Sequence, residues 1–208
     1  MTTDPYDVPT PLLAADEPAE PAEPGVPAEP VPALGTVVEA DRGSLPFALI
    51  HGEALVACAA WALGEAGVTP VDVGTEWVAL VASGEPVVLH DALCPMTPPA
   101  FLAACVADAV REDAVVVGVR PVTDTVKSVD DGVVGATVDR DTLVSVASPL
   151  VLPPSVVAAL DGLPGTDFSA VVSALRERFP VRTRQAPPTG RRVASVEDVR
   201  LLEALTRG

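Results

Sequence analysis

Two short polar segments, about thirty residues apart, contain the side chains of this chain that are best suited to chemistry. The first ends an apolar run with His90-Asp91-Ala92, and the second begins at Pro121 with the order Pro-Val-Thr-Asp-Thr-Val-Lys. A carboxylate at the carboxyl end of a buried strand is well placed to hold a divalent cation or a ligand hydroxyl. We therefore take Asp91 as the first candidate functional residue, although aspartates also commonly end strands and begin turns.

Side chains that suit an anionic ligand follow along the chain. Thr125 and Lys127 belong to the second segment, and Asp139-Arg140 comes after a polar, β-branched stretch. A group of arginines near the C-terminus is consistent with a phosphate-binding cluster or, equally, with a solvated basic face. The group consists of Arg176, Arg178, Arg182, Arg184, Arg191 and Arg192.

Apolar runs that alternate with Ala-rich stretches indicate the elements that must position these side chains. Continuous apolar runs of strand length are typical of strands that are buried on both faces. The predicted strands are 34–40, 87–90, 114–119, 143–151 and 180–183, with 77–81 as a candidate strand. The predicted helices are 53–66, 98–111, 154–160, 168–178 and 195–206. This alternation predicts a three-layer α/β domain with a mixed, mostly parallel sheet.

The chain divides into an acidic tail and one domain that carries a hairpin. Pro-Ala-Glu repeats fill the tail, and no lysine or arginine occurs before Arg42. Because few of its side chains could form a core, we expect residues 1–34 to be disordered, with an acidic docking arm as the alternative. We expect residues 35–208 to form the domain. Within it, the turn signal Asp130-Asp131-Gly132 predicts a projecting β-hairpin arm at about 121–142.

Charge and cysteine usage exclude several classes of partner. A net charge of −16 argues against nucleic acid and anionic membrane surfaces as partners. No apolar stretch is long enough, and free enough of charge and proline, to cross a membrane. The three cysteines are scattered without metal-ligand spacing, which suits a reducing compartment. We therefore expect a cytoplasmic protein.

The order of the motifs resembles that of 2-C-methyl-D-erythritol 4-phosphate cytidylyltransferases. That family has a His-Asp-Ala strand end, then Pro-Val-x-Asp-Thr-x-Lys, then Val-Asp-Arg, and this chain has the three beginning at His90, Pro121 and Val138. The resemblance covers about residues 35–206. It implies a nucleotide-diphospho-sugar transferase-like, Rossmann-related fold. It also implies the transfer of CMP from CTP to 2-C-methyl-D-erythritol 4-phosphate, with Mg²⁺ as cofactor and pyrophosphate as the second product.

The resemblance assigns roles to residues of the main body. Asp91 would orient the ligand or bind its metal ion. Arg42 and Gly43 would lie in the loop that holds the triphosphate. Arg192 would stand in place of a lysine that the family has near its C-terminus. Asp91, Arg42 and Arg192 are therefore the catalytic candidates, and Arg42 and Gly43 are the candidates for nucleotide binding.

The resemblance also assigns roles to the arm. In the family the arm crosses to a partner subunit, and its arginine binds the acceptor phosphate of the neighbouring site. Thr125 and Arg140 are the matching substrate-binding residues here. The arm therefore implies a homodimer whose two sites each depend on both chains.

Several departures from the family pattern fall at the nucleotide loop. The loop is shortened, Glu39 and Asp41 stand where a triphosphate would arrive, and Phe47 replaces a lysine. Cys94 replaces an arginine that would meet the acceptor phosphate. The family's Gly-Gly-x-x-Arg-x-x-Ser stretch also has no counterpart between positions 71 and 85. Three functions stay open: the family's cytidylyltransferase, a catalytically degenerate homologue that acts as a dimeric scaffold or regulatory subunit, and a nucleotidyltransferase with another substrate.

Overall fold

A computed structural model of the chain describes residues 31–72 and 74–207. Residues 1–30 of the predicted acidic tail lie outside the described residues, so the predictions for them stay predictions. Pro32 is exposed, whereas Ala33 is fully buried and begins the first strand. The predicted tail includes residues 33 and 34, whereas in the structure these two residues belong to the sheet.

Strands and helices alternate along most of the described chain, as the sequence predicts. The strands are β1 Ala33–Val38, β2 Leu49–Ile50, β3 Glu53–Ala54, β4 Val68–Pro70, β5 Val87–Asp91, β6 Val115–Pro121, β7 Val126–Asp130, β8 Val133–Val138, β9 Val144–Leu152 and β10 Val181–Gln185. The helices are α1 Leu55–Glu65, α2 Trp77–Ser83, α3 Pro99–Glu112, α4 Pro154–Ala158, α5 Phe168–Leu175 and α6 Val196–Leu205. None of the described helices is long and apolar enough to span a membrane.

The central sheet has the strand order β10-β6-β9-β5-β1-β4. The strand β9 is antiparallel to both of its neighbours, and every other pairing in this sheet is parallel. Helices cover both faces of the sheet. Successive residues of a strand point to opposite faces and therefore contact different helices. Val87 and Leu89 pack with α2, α4 and α5, whereas Val88 packs with α1 and α3. The predicted three-layer α/β fold with a mixed, mostly parallel sheet is confirmed.

The order of the strands reverses at β1, and this reversal determines where the candidate functional site lies. The next strand of the central sheet along the chain, β4, pairs on one side of β1, and β5 pairs on the other side. In open α/β sheets such a reversal leaves a crevice beyond the carboxyl ends of the two diverging strands. The loop after β1 and the end of β5 at Asp91 border this crevice.

The candidate strand at 77–81 is wrong, because these residues form helix α2. Trp77, Leu80 and Val81 contact the core at helical spacing, whereas Val78 is exposed. Gly84 ends the helix in the left-handed conformation with φ of 67°, which glycine adopts without steric strain. A short apolar run does not distinguish a strand from a helix, and the glycine was the informative residue.

The predicted hairpin arm is present as β7 and β8, which form a two-stranded antiparallel sheet of their own. Asp131 and Gly132 occupy the turn with φ of 45° and 80°, the pair of positive values that a tight hairpin turn requires. Val129, Val133 and Val134 are exposed on this arm. An isolated hairpin with exposed valines is at best marginally stable, so a contact with another surface would stabilise it.

Gly118 of β6 allows an unusually close approach of β9. A Cβ atom added at Gly118 would lie 2.3 Å from the carbonyl oxygen of Ser148. We expect Gly118→Ala to lower the free energy of unfolding by at least about 1–3 kcal/mol, because the backbone of β9 must move. Chemical denaturation would measure the loss. Gly64→Ala is the control, since a Cβ atom there meets nothing within 4 Å and alanine favours the helix.

Candidate active site

Asp91 ends β5 as predicted, and its carboxylate is buried between two arginines. Arg42 Nε donates to Oδ1 at 3.1 Å, and Arg192 Nε donates to Oδ2 at 3.0 Å. The backbone N–H of Leu93 also donates to Oδ1, at 2.9 Å. The side chains of Asp91 and Arg42 are only 3% and 6% exposed. The sequence-predicted catalytic residues Asp91, Arg42 and Arg192 are therefore brought together at one point.

Arg42 spans the crevice between the loop after β1 and the end of β5. Besides its bond to Asp91, it donates from Nη1 to the Ala40 carbonyl at 3.2 Å and from Nη2 to the Thr166 carbonyl at 2.8 Å. The hydroxyl of Thr166 in turn donates to Asp41 at 2.7 Å. Each of the three guanidinium nitrogens thus has a protein acceptor. These contacts use one N–H of each nitrogen, and Arg42 itself borders the polar cavity next to Asp91.

Arg192 is the more accessible of the two cations, with 39% of its side chain exposed. It borders a polar cavity of about 240 Å³ together with Asp91, Ser145 and Ser169. Within residues 31–72 and 74–207, no acceptor engages its two terminal nitrogens. A guanidinium edge of this kind fits a phosphate or a carboxylate with two parallel hydrogen bonds.

A buried polar pair supports Asp91 from the backbone side. The Ser148 hydroxyl accepts from the Asp91 N–H at 3.0 Å and lies 2.5 Å from Nδ1 of His90. Burial lowers the pKa of His90 to about 4, although the neighbouring Asp91 carboxylate opposes this shift. The ring is therefore neutral at neutral pH. The sequence did not predict this contact between Ser148 and Asp91.

The residues around Asp91 do not fit a magnesium ion held by protein side chains. Both carboxylate oxygens already accept from guanidinium groups, which repel a second cation nearby. Over the described part of the chain, no group of three or more histidine, cysteine, aspartate or glutamate side chains is arranged to bind a metal. In this arrangement the Asp91 carboxylate positions two arginine side chains rather than a metal ion.

The predicted arm residues lie apart from this site within one chain. Arg140 donates to the Thr123 carbonyl at 2.8 Å and borders a separate cavity of about 400 Å³ next to Thr183 and Gln185. Thr125 is exposed ahead of β7. The binding roles of Thr125 and Arg140 stay predictions, because they require a second subunit.

The C-terminal arginines do not form a phosphate-binding cluster. Arg182 pairs with Glu112 on α3 at 3.3 Å, and Arg184 pairs with Asp108 on the same helix. Two further members have other contacts: Arg191 pairs with Asp198 at 3.9 Å, and Arg178 lies over the ring of Phe179 at 5.0 Å. Acidic residues of neighbouring helices thus pair with three of the six arginines, and Arg192 is the one member of the group at the predicted site.

The departures at the nucleotide loop are visible in the structure. Gly43 has φ of 62° in this loop, beside the exposed carboxylates of Glu39 and Asp41. Phe47 is 62% exposed, where the family has its lysine. Cys94 is fully buried, and burial and then the Asp91 carboxylate raise the pKa of its thiol. The loop therefore presents negative charge and an apolar ring to solvent.

A second cavity of about 320 Å³ adjoins the loop after β1, and the sequence did not predict it. Trp77, Phe168 and Leu80 form its apolar wall, and the hydroxyls of Thr36 and Thr75 line it as well. The indole N–H of Trp77 donates to the Val157 carbonyl at 3.1 Å, which fixes the ring. The prediction of a strand at 77–81 gave no indication of this wall, because Trp77 borders the cavity from the start of helix α2.

Comparison with known proteins gives one family. The sequence model of 2-C-methyl-D-erythritol 4-phosphate cytidylyltransferase matches residues 66–175, more than half of the chain. The enzyme of that name from Nocardia farcinica is 37% identical over 120 residues, which are 56% of this chain and 51% of that relative. The one from Rhodococcus opacus is 35% identical over 133 residues, or 62% of this chain and 58% of that relative. The match thus spans little more than half the length of these relatives.

Solved structures resemble the fold over a longer range. The 2-C-methyl-D-erythritol 4-phosphate cytidylyltransferase of Thermus thermophilus superposes with a TM-score of 0.63 at 21% identity, over 84% of this chain and 98% of that one. The 4-diphosphocytidyl-2C-methyl-D-erythritol synthase of Anaerococcus prevotii gives a TM-score of 0.62 at 16% identity, over 85% and 96%. At these identities the likeness concerns the fold.

Proposed function

The chain belongs to the 2-C-methyl-D-erythritol 4-phosphate cytidylyltransferase family, and from this premise we propose that it transfers CMP from CTP to 2-C-methyl-D-erythritol 4-phosphate. The observation that carries the proposal is the convergence of Arg42, Asp91 and Arg192 at the crevice between β1 and β5. This is the place where open α/β sheets bind nucleotides. The scattered cysteines and the charge of −16 favour a cytoplasmic site of action for the proposed enzyme.

In the proposed reaction an oxygen of the acceptor phosphate attacks the α-phosphorus of CTP in line, and the bond to the departing pyrophosphate breaks. Arg192 supports this step best, because it borders the cavity, its two terminal nitrogens have no acceptor among the described residues, and a guanidinium suits phosphate oxygens. Asp91 fixes Arg192 through Nε and so orients its outer edge. We include magnesium dependence in the proposal only as an ion carried by the nucleotide's own oxygens, which is common for Mg²⁺.

The test is titration of the purified protein with CTP and magnesium in a calorimeter, followed by a pyrophosphate-release assay with both substrates. Turnover that requires 2-C-methyl-D-erythritol 4-phosphate and falls strongly in Arg192→Ala supports the proposal. Arg200→Ala is the matched control, because Arg200 is exposed on α6 and does not border the site. An absence of both CTP binding and pyrophosphate release in the unmodified protein would refute it.

A second candidate function has its own supporting observation. All three guanidinium nitrogens of Arg42 bind protein groups, and the nearby loop exposes Phe47 and two carboxylates instead of a lysine. This favours a homologue that keeps the fold and the arm but has lost the triphosphate site, acting as a dimeric scaffold or regulatory subunit. The same calorimetric titration separates the two candidates, since only the first requires that CTP bind.

Both candidates include a homodimer that forms through the arm. Replacing Val126, Val133 and Val134 with glutamate should yield monomers in sedimentation velocity, because charged side chains would have to be buried in the contact. Val110→Glu on α3 is the control, since that valine is exposed outside the arm. If the unmodified protein already sediments as a monomer at micromolar concentration, the arm has no such role.

A further inference from the structure

A further cavity among the described residues lies away from the Asp91 site. It measures about 670 Å³ and is enclosed by helix α1, the β2–β3 hairpin and the segment 95–99. It shares no lining residue with the cavity beside Arg192. Its volume falls within the range of about 300–1,000 Å³ that is usual for small-molecule sites. The proposed cytidylyl transfer assigns no task to this cavity.

The lining of this cavity is apolar and aromatic. Ile50 and Met96 contribute to its walls, together with a series of prolines at positions 95, 98 and 99. Trp61 of α1 borders it while remaining 65% exposed, which is unusual for so large an apolar side chain. The ring therefore offers contact surface that the described part of the protein leaves uncovered.

The charge of the lining is negative. Glu53 is the one acidic residue of the lining, and the lining contains neither lysine nor arginine. His51 also borders the cavity, but its Nε2 lies 2.7 Å from the Thr206 hydroxyl, and its backbone N–H donates to Glu203 on α6. Burial first and the Glu53 carboxylate second raise the pKa of the Cys58 thiol, so the negative potential of Glu53 reaches the cavity wall.

We propose that this cavity is a second ligand site, which binds a small apolar molecule carrying one protonated amine. The apolar part would pack against Ile50, Met96 and the Trp61 ring. The ammonium group would lie near the Trp61 face and the Glu53 carboxylate, a combination that attracts cations. Phosphorylated ligands such as CTP lack a positive partner here, so the site is independent of the proposed enzymatic function.

The test uses three probes of the same size and different charge: benzylamine, benzyl alcohol and benzoate. At about pH 8 the amine is protonated, whereas ordinary histidines are neutral. Calorimetric titration of the full chain should show benzylamine binding more tightly than benzyl alcohol, and benzoate binding least. Glu53→Gln should weaken benzylamine about fivefold, the effect of one partly exposed charge pair, and leave benzyl alcohol unchanged. Glu65→Gln, at the exposed far end of α1, should change neither.

Alkylation of Cys58 reports whether binding occurs in this cavity. Cys58 borders it and is partly exposed, whereas Cys94 and Cys105 are buried. Benzylamine should slow the reaction of Cys58 with iodoacetamide, read by mass spectrometry, and Trp61→Ala should abolish that protection. Equal affinity for the three probes, unprotected Cys58 at saturating amine, or undiminished binding in Glu53→Gln would each overturn the proposal.

Discussion

Replacing Asp91 with alanine should lower the free energy of unfolding by about 3–5 kcal/mol, because a buried ion pair loses its only carboxylate. Arg42 is almost fully buried and would keep its charge, with only two carbonyl groups as partners. Arg192 would lose the bond that orients it. For a chain of this size we expect the melting temperature to fall by about 10 °C.

Urea denaturation and thermal melting would measure this loss. Asp124→Ala is the control, since Asp124 is exposed near the arm, and we expect a change within about 0.5 kcal/mol. The double variant Asp91→Ala with Arg42→Met should recover part of the stability, because it removes the unpaired charge together with its partner. A single variant as stable as the unmodified protein would show that Asp91 is not the anchor of the two arginines.

The anchoring by Asp91 bears directly on function. Any phosphate that reaches this crevice competes with Asp91 for the same guanidinium groups, and a buried carboxylate 3.0–3.1 Å from both is a strong competitor. Arg192 can serve a ligand without leaving Asp91, because its bond uses only Nε. Arg42 is more constrained, since each of its nitrogens already binds a protein group. The acceptor phosphate therefore has a better partner here than the triphosphate.

Local sequence patterns were sufficient to predict five of the six strands of the central sheet and the position of Asp91, but not the edge strand β4. The apolar run before Asp91 predicts a strand buried on both faces, and a strand end at this edge places the carboxylate at the crevice. The Asp131-Gly132 pair likewise indicated the turn of the arm, because these residue types favour the positive φ values of a tight turn. These features depend on neighbours in the sequence, which is why they could be read without a structure.

The contacts that decide the chemistry could not be predicted, because they join distant parts of the chain. The bond from Arg42 to Thr166 links residues 124 positions apart, and no local pattern indicates it. From the sequence, Arg184 is a candidate for binding phosphate. In the structure, the sheet places it beside Asp108 of α3, and the two form an ion pair. The identity of a residue fixes its charge, whereas the partner that neutralises that charge depends on the tertiary structure.

Two substitutions would restore residues of the family, and we expect one to improve CTP binding and the other to destabilise the protein. Phe47→Lys should be tolerated, because Phe47 is largely exposed, and it should tighten CTP binding by about 1 kcal/mol, the value of one solvent-screened charge contact. Cys94→Arg should instead destabilise the protein by several kcal/mol. Cys94 is fully buried, and the new guanidinium would lie near Arg42 and Arg192 with no further carboxylate to pair with.

Calorimetry with CTP and magnesium, together with urea denaturation, would test both variants, with Val110→Lys as the control for an added surface lysine. Because the shortened loop keeps Glu39 and Asp41, Phe47→Lys should recover CTP binding only in part. Unchanged CTP binding in Phe47→Lys would contradict this reasoning, because the added lysine would then not reach the triphosphate. A stable and more active Cys94→Arg would contradict it as well, because the side chain at position 94 would then have to reach the crevice instead of the core.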